Sequence, residues 1–177
     1  MNKNLLNPKF LLMAGLILAA AFSRLIPHPP NFTAVGAIAL FGGAYFSRKS
    51  FAYIVPVAAM LLSDLFIGFH PGMYAVYISF ALIVLIGMTL RNNKKISRVF
   101  AASLAASVSF FIITNFVQWL TDPFYAKTTA GLVQCYTLAI PFFQYTVIGD
   151  LCFVGLMFGV FEIAKAKIPS LARIEAN

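Results

Sequence analysis

Residues 91–120 read RNNKKISRVFAASLAASVSFFIITNFVQWL, a basic loop ending at Arg98 followed by an uncharged apolar run over 99–120. A helix crossing a hydrocarbon core of about 30 Å needs roughly 20 apolar residues, so this run predicts a transmembrane helix. Working outward, five more apolar runs occupy 10–26, 32–46, 51–68, 73–90 and 142–164. The whole chain is 61% hydrophobic and 10% charged, whereas a soluble domain carries about 25% charged residues. Its apolar residues also come in long runs rather than in alternation. The expectation is an all-α polytopic transmembrane helix bundle of six helices, one integral membrane domain over 1–177 with the lipid bilayer as solvent and a tail over 165–177. The second run is short and holds Gly36, Gly42 and Gly43, which predicts a short, irregular helix sheltered by protein or a watery cavity.

The basic loop that opens the quoted stretch is one of several. Lys3 and Lys9 precede the first run, Arg48 and Lys49 follow the second, Arg91, Lys94, Lys95 and Arg98 follow the fourth, and Lys165, Lys167 and Arg173 follow the sixth. Eleven of the 13 Lys and Arg residues thus fall on one side, and Arg24 and Lys127 on the other. Cytoplasmic loops carry the Lys/Arg excess, so both termini are expected in the cytoplasm, with the protein in a bacterial cytoplasmic (inner) membrane. This pattern turns the net charge of +8 into a topology signal and argues against nucleic acid as a partner. The first run exceeds a usual signal core and continues into Arg24 and Pro27-His28-Pro29-Pro30, so it is expected to be retained.

Ionisable groups at membrane depth are costly and face a bundle interior or a cavity. Here they are Arg24, Asp64 and Asp150, all toward the extracytoplasmic half, while Glu162 beside Lys165 reads as an interfacial charge. Asn115, Gln118, Trp119 and Asp122 share one face of the fifth helix. With His28, Asn31, His70, Gln134 and Gln144 they converge on the same half, predicting a hydrated pocket open to the outside. The candidate substrate-binding set is Arg24, Asn31, Asp64, Asn115, Gln118, Trp119 and Asp150. In the structural alternative Arg24 pairs with Asp64 or Asp150 and the amides merely join helices. Residues 130–140 predict a short helix of their own, either a lid over the cavity or a segment lying on the membrane.

Small residues allow close helix contact: Gly15 and Ala19 on the first helix, and Gly36, Ala39 and Gly43 on the second. Internal packing or a docking face for another membrane subunit would each use them. Cys135 and Cys152 lack metal-ligand spacing, and no metal or cofactor is expected. No phosphate loop, HExxH or GxSxG occurs, so the chain does not read as an enzyme. An intramembrane acid pair would need Asp64 and Asp150 to meet.

The stretch Arg24-Leu25-Ile26-Pro27-His28-Pro29-Pro30-Asn31-Phe32-Thr33, the Gly-Gly pair within 39–46, Ser63-Asp64-Leu65 and 115–119 together resemble an uncharacterised bacterial six-helix membrane family. That family is similar to the substrate-binding (S) components of energy-coupling-factor (ECF) vitamin transporters. The resemblance covers nearly the whole chain and implies uptake of a small, vitamin-like solute, with a transmembrane coupling subunit and its ATPases as partners. Gly15 and Ala19 match the small-xxx-small pattern of those components loosely. The rival function is a structural or scaffolding subunit of a cell-envelope complex, with no solute pocket.

Overall fold

The computed structural model describes residues 7–69, 72–168 and 171; Lys3, His70 and Arg173 lie outside them. The described residues form six α-helices: α1 (Pro8–Phe22), α2 (Val35–Tyr45), α3 (Lys49–Ile67), α4 (Met73–Met88), α5 (Ile96–Thr121) and α6 (Thr129–Lys167). A 3-10 turn, Ser23–Leu25, extends α1. Four helical stretches, Pro8–Leu25, Lys49–Ile67, Ile96–Thr121 and Thr129–Lys167, are long and apolar enough to cross a membrane, whereas α2 and α4 are shorter. The outward faces are apolar as well as the core, with Ile54, Leu65, Phe66, Leu156 and Ile163 exposed. A surface of that kind calls for an apolar surrounding or a protein partner.

Local chemistry sets the helix ends. The Asn7 side chain accepts from the Lys9 backbone N–H and Pro8 opens α1, a position where the missing proline N–H costs nothing. Pro27 and Pro29 follow, and a turn over Pro30 and Asn31 is closed by the Phe32 N–H donating to the Pro29 carbonyl at 3.1 Å. Asn31 turns the chain with a left-handed φ of 64°, which asparagine tolerates better than most residues. Gly68, at φ 97°, closes α3, in a conformation that a side chain would strain.

The second helix is short, as expected, but it is a regular helix rather than an irregular one, and all of its residues from Val35 to Tyr45 are buried. It packs against all five other helices. Close approach explains its glycines. A Cβ on Gly43 would stand 2.9 Å from the Met88 N and 3.0 Å from the Gly87 carbonyl carbon, while one on Gly87 would stand 3.1 Å from Gly43 Cα. Here α2 and α4 touch backbone to backbone. Gly42 is as close to α3: a Cβ there would overlap the Pro56 ring and stand 3.2 Å from the Ala52 carbonyl oxygen. Phe41, Tyr45, Phe158 and Phe161 fill the α2–α6 contact, with ring centroids 4.4–5.7 Å apart.

An 11-residue helix rises only about 17 Å, so its ends lie within the bundle, where unpaired N–H and C=O groups are costly. Other helices supply what its own sequence does not. At the N-terminus Ala34 offers no side-chain cap; instead the Asp150 carboxylate from α6 is hydrogen-bonded to the Gly36 and Ala37 backbone. At the C-terminus Arg91, just beyond α4, donates from Nε to the Gly43 carbonyl at 3.0 Å and from Nη2 to the Phe46 carbonyl at 2.7 Å. An acidic side chain thus sits at the positive end of the helix dipole and a basic one at the negative end.

The separate short helix expected over 130–140 does not form. Those residues are the first turns of α6, which runs unbroken through Pro141 from Thr129 rather than from Phe142. Thr128 caps its start by accepting from the Gly131 N–H. The leading turns lie along α5, where Tyr136 OH donates to the Ile112 carbonyl at 2.7 Å and Phe111 packs between Tyr136 and Phe143.

Candidate functional site

Two cavities occupy the two ends of α2. The larger, of about 1000 Å³, lies at its N-terminal end among the 3-10 turn after α1, the start of α4, the last turns of α5 and the middle of α6. Arg24, Asn31, Asn115, Gln118 and Asp150 of the seven candidate residues line it; Asp64 and Trp119 do not.

Asp64 stands behind Arg24. The Arg24 Nη1 donates to Asp64 Oδ1 at 2.6 Å and to Ser63 Oγ at 2.6 Å, with Met60 Sδ at 3.6 Å. Tyr77 OH of α4 donates to the other carboxylate oxygen, Oδ2, at 2.6 Å. Both Asp64 oxygens are therefore engaged, and the side chains are 12% exposed for Arg24 and 6% for Asp64. Charge-assisted bonds of this length hold a guanidinium firmly. A guanidinium has five N–H donors, and every hydrogen bond of Arg24 among the described residues runs through Nη1. Its Nε and Nη2 keep donor capacity in the cavity wall. Asp64 is a positioning residue, tying α3 to α4 and to the 3-10 turn.

Asp150 belongs to a second network. It accepts from Ser107 Oγ of α5 at 2.6 Å as well as from the α2 backbone, and it is 3% exposed. A Cβ on Gly36 would stand 2.7 Å from Asp150 Oδ2 and 2.8 Å from its Cγ, so only glycine leaves room for the carboxylate. Asp64 and Asp150 share no hydrogen-bond partner among the described residues.

The polar stripe of α5 divides in the same way. Asn115 donates from Nδ2 to the Phe111 carbonyl of its own helix at 2.8 Å, leaving its amide oxygen for the cavity. Gln118 Nε2 bonds Asp122 Oδ2 at 2.7 Å. Trp119 turns away: its Nε1 donates to the Ala126 carbonyl at 2.9 Å. Lys127 Nζ reaches the carbonyls of Trp119 and Asp122 at the C-terminal end of α5, where a cation is favoured. The Trp119 indole and the Lys127 ammonium together fasten the α5–α6 connection.

Sequence reasoning overlooked Tyr77, Ser107, Thr33 and Thr146. The last two line the cavity, Ser107 holds Asp150 in its wall, and Tyr77 holds Asp64 behind Arg24. Of these, Ser107 had a signal: Ser103 and Ser107 repeat at i, i+4 on an otherwise apolar face. His28 Nδ1 contacts the Pro29 carbonyl, and among the described residues no three His, Cys, Asp or Glu side chains gather as a metal site. Glu162, read as an interfacial charge, accepts from Tyr45 OH at 2.7 Å.

No curated protein and no solved structure matches the chain. A family of unknown function, DUF6580, matches residues 4–171, nearly the full length of the sequence, and the chain belongs to that family.

Proposed function

We propose that this chain is a polytopic protein of a bacterial cytoplasmic membrane that binds a small solute in the 1000 Å³ cavity and serves its uptake in the manner of an ECF S component. Both termini face the cytoplasm in this reading, and the cavity opens to the extracytoplasmic side, which holds Arg24 and Lys127 against eleven basic residues at the other end. The observation that carries the proposal is the cavity wall: a fixed guanidinium with spare donors, amides at Asn31, Asn115 and Gln118, the acids Asp122 and Asp150, and an apolar frame. The volume lies at the upper end of small-molecule pockets, about 300–1,000 Å³. Such a wall suits a solute with a carboxylate or polarised carbonyl for Arg24 and further polar edges for the amides. A coupling subunit with its ATPases would supply the energy, since the chain carries no phosphate loop.

The test is native mass spectrometry of the detergent-purified protein, alone and with pooled anionic metabolites, beside Arg24→Gln and Asn115→Ala. A co-purifying or added solute retained by the parent and lost from both variants supports the proposal. A parent that retains nothing from the pools refutes it.

The second reading, a scaffolding subunit, is favoured by the closed Arg24–Asp64–Tyr77 network. In that case Arg24→Gln lowers stability while solute retention stays nil throughout.

A further inference from the structure

The larger cavity presents both basic and acidic groups. Its wall holds Arg24 on the 3-10 turn, Asp122 just beyond α5 and Asp150 in the middle of α6. Their surroundings differ. Arg24 has its countercharge in Asp64 and keeps Nε and Nη2 as donors toward the cavity. Asp122 accepts from Gln118 Nε2 at 2.7 Å and from the Phe124 N–H at 2.9 Å, and Lys127 Nζ donates to its backbone carbonyl at 2.6 Å, so a cation already stands beside it. Asp150 has neutral donors only: Ser107 Oγ at 2.6 Å and the backbone of Gly36 and Ala37. Among the described residues no Lys, Arg or His forms an ion pair with it.

A carboxylate offers about four lone-pair sites, and three donors reach Asp150, which leaves one toward the cavity. At 3% exposure a carboxylate without a cation is costly, and an ammonium group beside it offsets that cost through a charge-assisted hydrogen bond. Such a group carries three N–H donors. Thr146 lies one turn before Asp150 on the same face of α6, and Asn115 turns a free amide oxygen to the same cavity. Acid, hydroxyl and amide oxygen together supply the acceptors. Resting on the solute-binding reading above, we propose that the solute is a zwitterion, its carboxylate at Arg24 and its ammonium at Asp150, the class of free amino acids and short peptides. A plain anion leaves Asp150 without a cation, and a plain cation leaves the Arg24 donors unfilled.

The test is native mass spectrometry of the detergent-purified full chain with pooled amino acids and dipeptides, beside the matching acids that lack the amine and the matching amines that lack the carboxylate. For the compound bound best, loss of either group is expected to weaken binding at least about tenfold, the low end for a hydrogen bond to a charged group. In Asp150→Asn the preference for the amine-bearing form is expected to disappear while the preference for the carboxylate persists. Arg24→Gln is expected to show the reverse. Matching acids or amines held as tightly as the zwitterion overturn the proposal and leave solute binding standing. An Asp150→Asn chain with its preference unchanged overturns it too, since the acid is then neutral or closed to the cavity. A chain that retains an anionic metabolite and none of the zwitterions overturns this proposal alone; one that retains neither overturns both readings. Should Asp150→Asn fail to fold for want of the α2 cap, the three forms compared on the unaltered chain decide the matter.

Discussion

Removing the Arg91 fork should be among the most damaging single changes at any basic residue of this chain. Its two bonds, 3.0 Å to the Gly43 carbonyl and 2.7 Å to the Phe46 carbonyl, satisfy the C-terminal end of a helix with no solvent-exposed residue. Hydrogen bonds to a charged group contribute about 1.5–3 kcal/mol each, so two give about 3–6 kcal/mol. Arg91 is half-buried and borders the smaller cavity, so water replaces part of what is lost. The expected cost of Arg91→Met is about 2–4 kcal/mol. Arg91→Lys keeps the charge at the helix C-terminus but not the planar fork, and should recover about half of that. Exposed Lys95 on the same loop is the control: Lys95→Met should stay within about 0.5 kcal/mol. Reversible SDS unfolding in mixed micelles, followed by near-UV circular dichroism, measures all three. If Arg91→Met and Lys95→Met shift the transition equally, the capping argument is wrong.

The same reasoning gives three further expectations. Gly36→Ala drives a methyl into the Asp150 carboxylate and should cost about 1–3 kcal/mol; combined with Asp150→Ala, the two losses should fall short of their sum by at least about 1 kcal/mol in a double-mutant cycle. Gly87→Ala pushes a Cβ against the α2 backbone, where no side chain can rotate away, and should lower the detergent melting temperature clearly. Gly155→Ala, which meets nothing within 4 Å, should leave it unchanged or raise it slightly through helix propensity; equal effects would contradict the packing described for α2 and α4. Asp64→Asn strands a mostly buried guanidinium and should cost about 3–5 kcal/mol, and adding Arg24→Met should restore part of that stability if the pair is what matters.

The long apolar helices were legible because composition and run length act locally. A stretch such as 99–120 reads as a helix whatever its neighbours do. The convergence of Arg24, Asn31, Asn115, Gln118 and Asp150 on one cavity was legible too, since depth along a helix follows from sequence position. Depth does not give rotation about the helix axis, and so Trp119, which lies outside the cavity, could not be separated from Gln118 beside it. Nor does sequence reveal partnership: Tyr77 lies in an apolar run, and nothing nearby announces that its hydroxyl bonds Asp64. Residues 130–140 read as a short helix of their own, although only Pro141 separates them from the sixth run at 142–164. In α6 the proline sits inside the helix, an interruption that packing against α5 can compensate. The regularity of α2 was hidden for a similar reason, since its glycines signal weakness in isolation and become close contacts only when α4 and α6 are present.

The capping of α2 by distant residues also bears on how the protein is made. A chain leaves the ribosome N-terminus first, so α2 emerges long before Arg91 and longer still before Asp150. At that stage it is too short to span a bilayer and both of its ends lack partners. The centre of the molecule must therefore be completed late, when α6 arrives. Truncation anywhere before Asp150 would leave the innermost helix the least secure part of the fold, and quality-control proteases would meet it there.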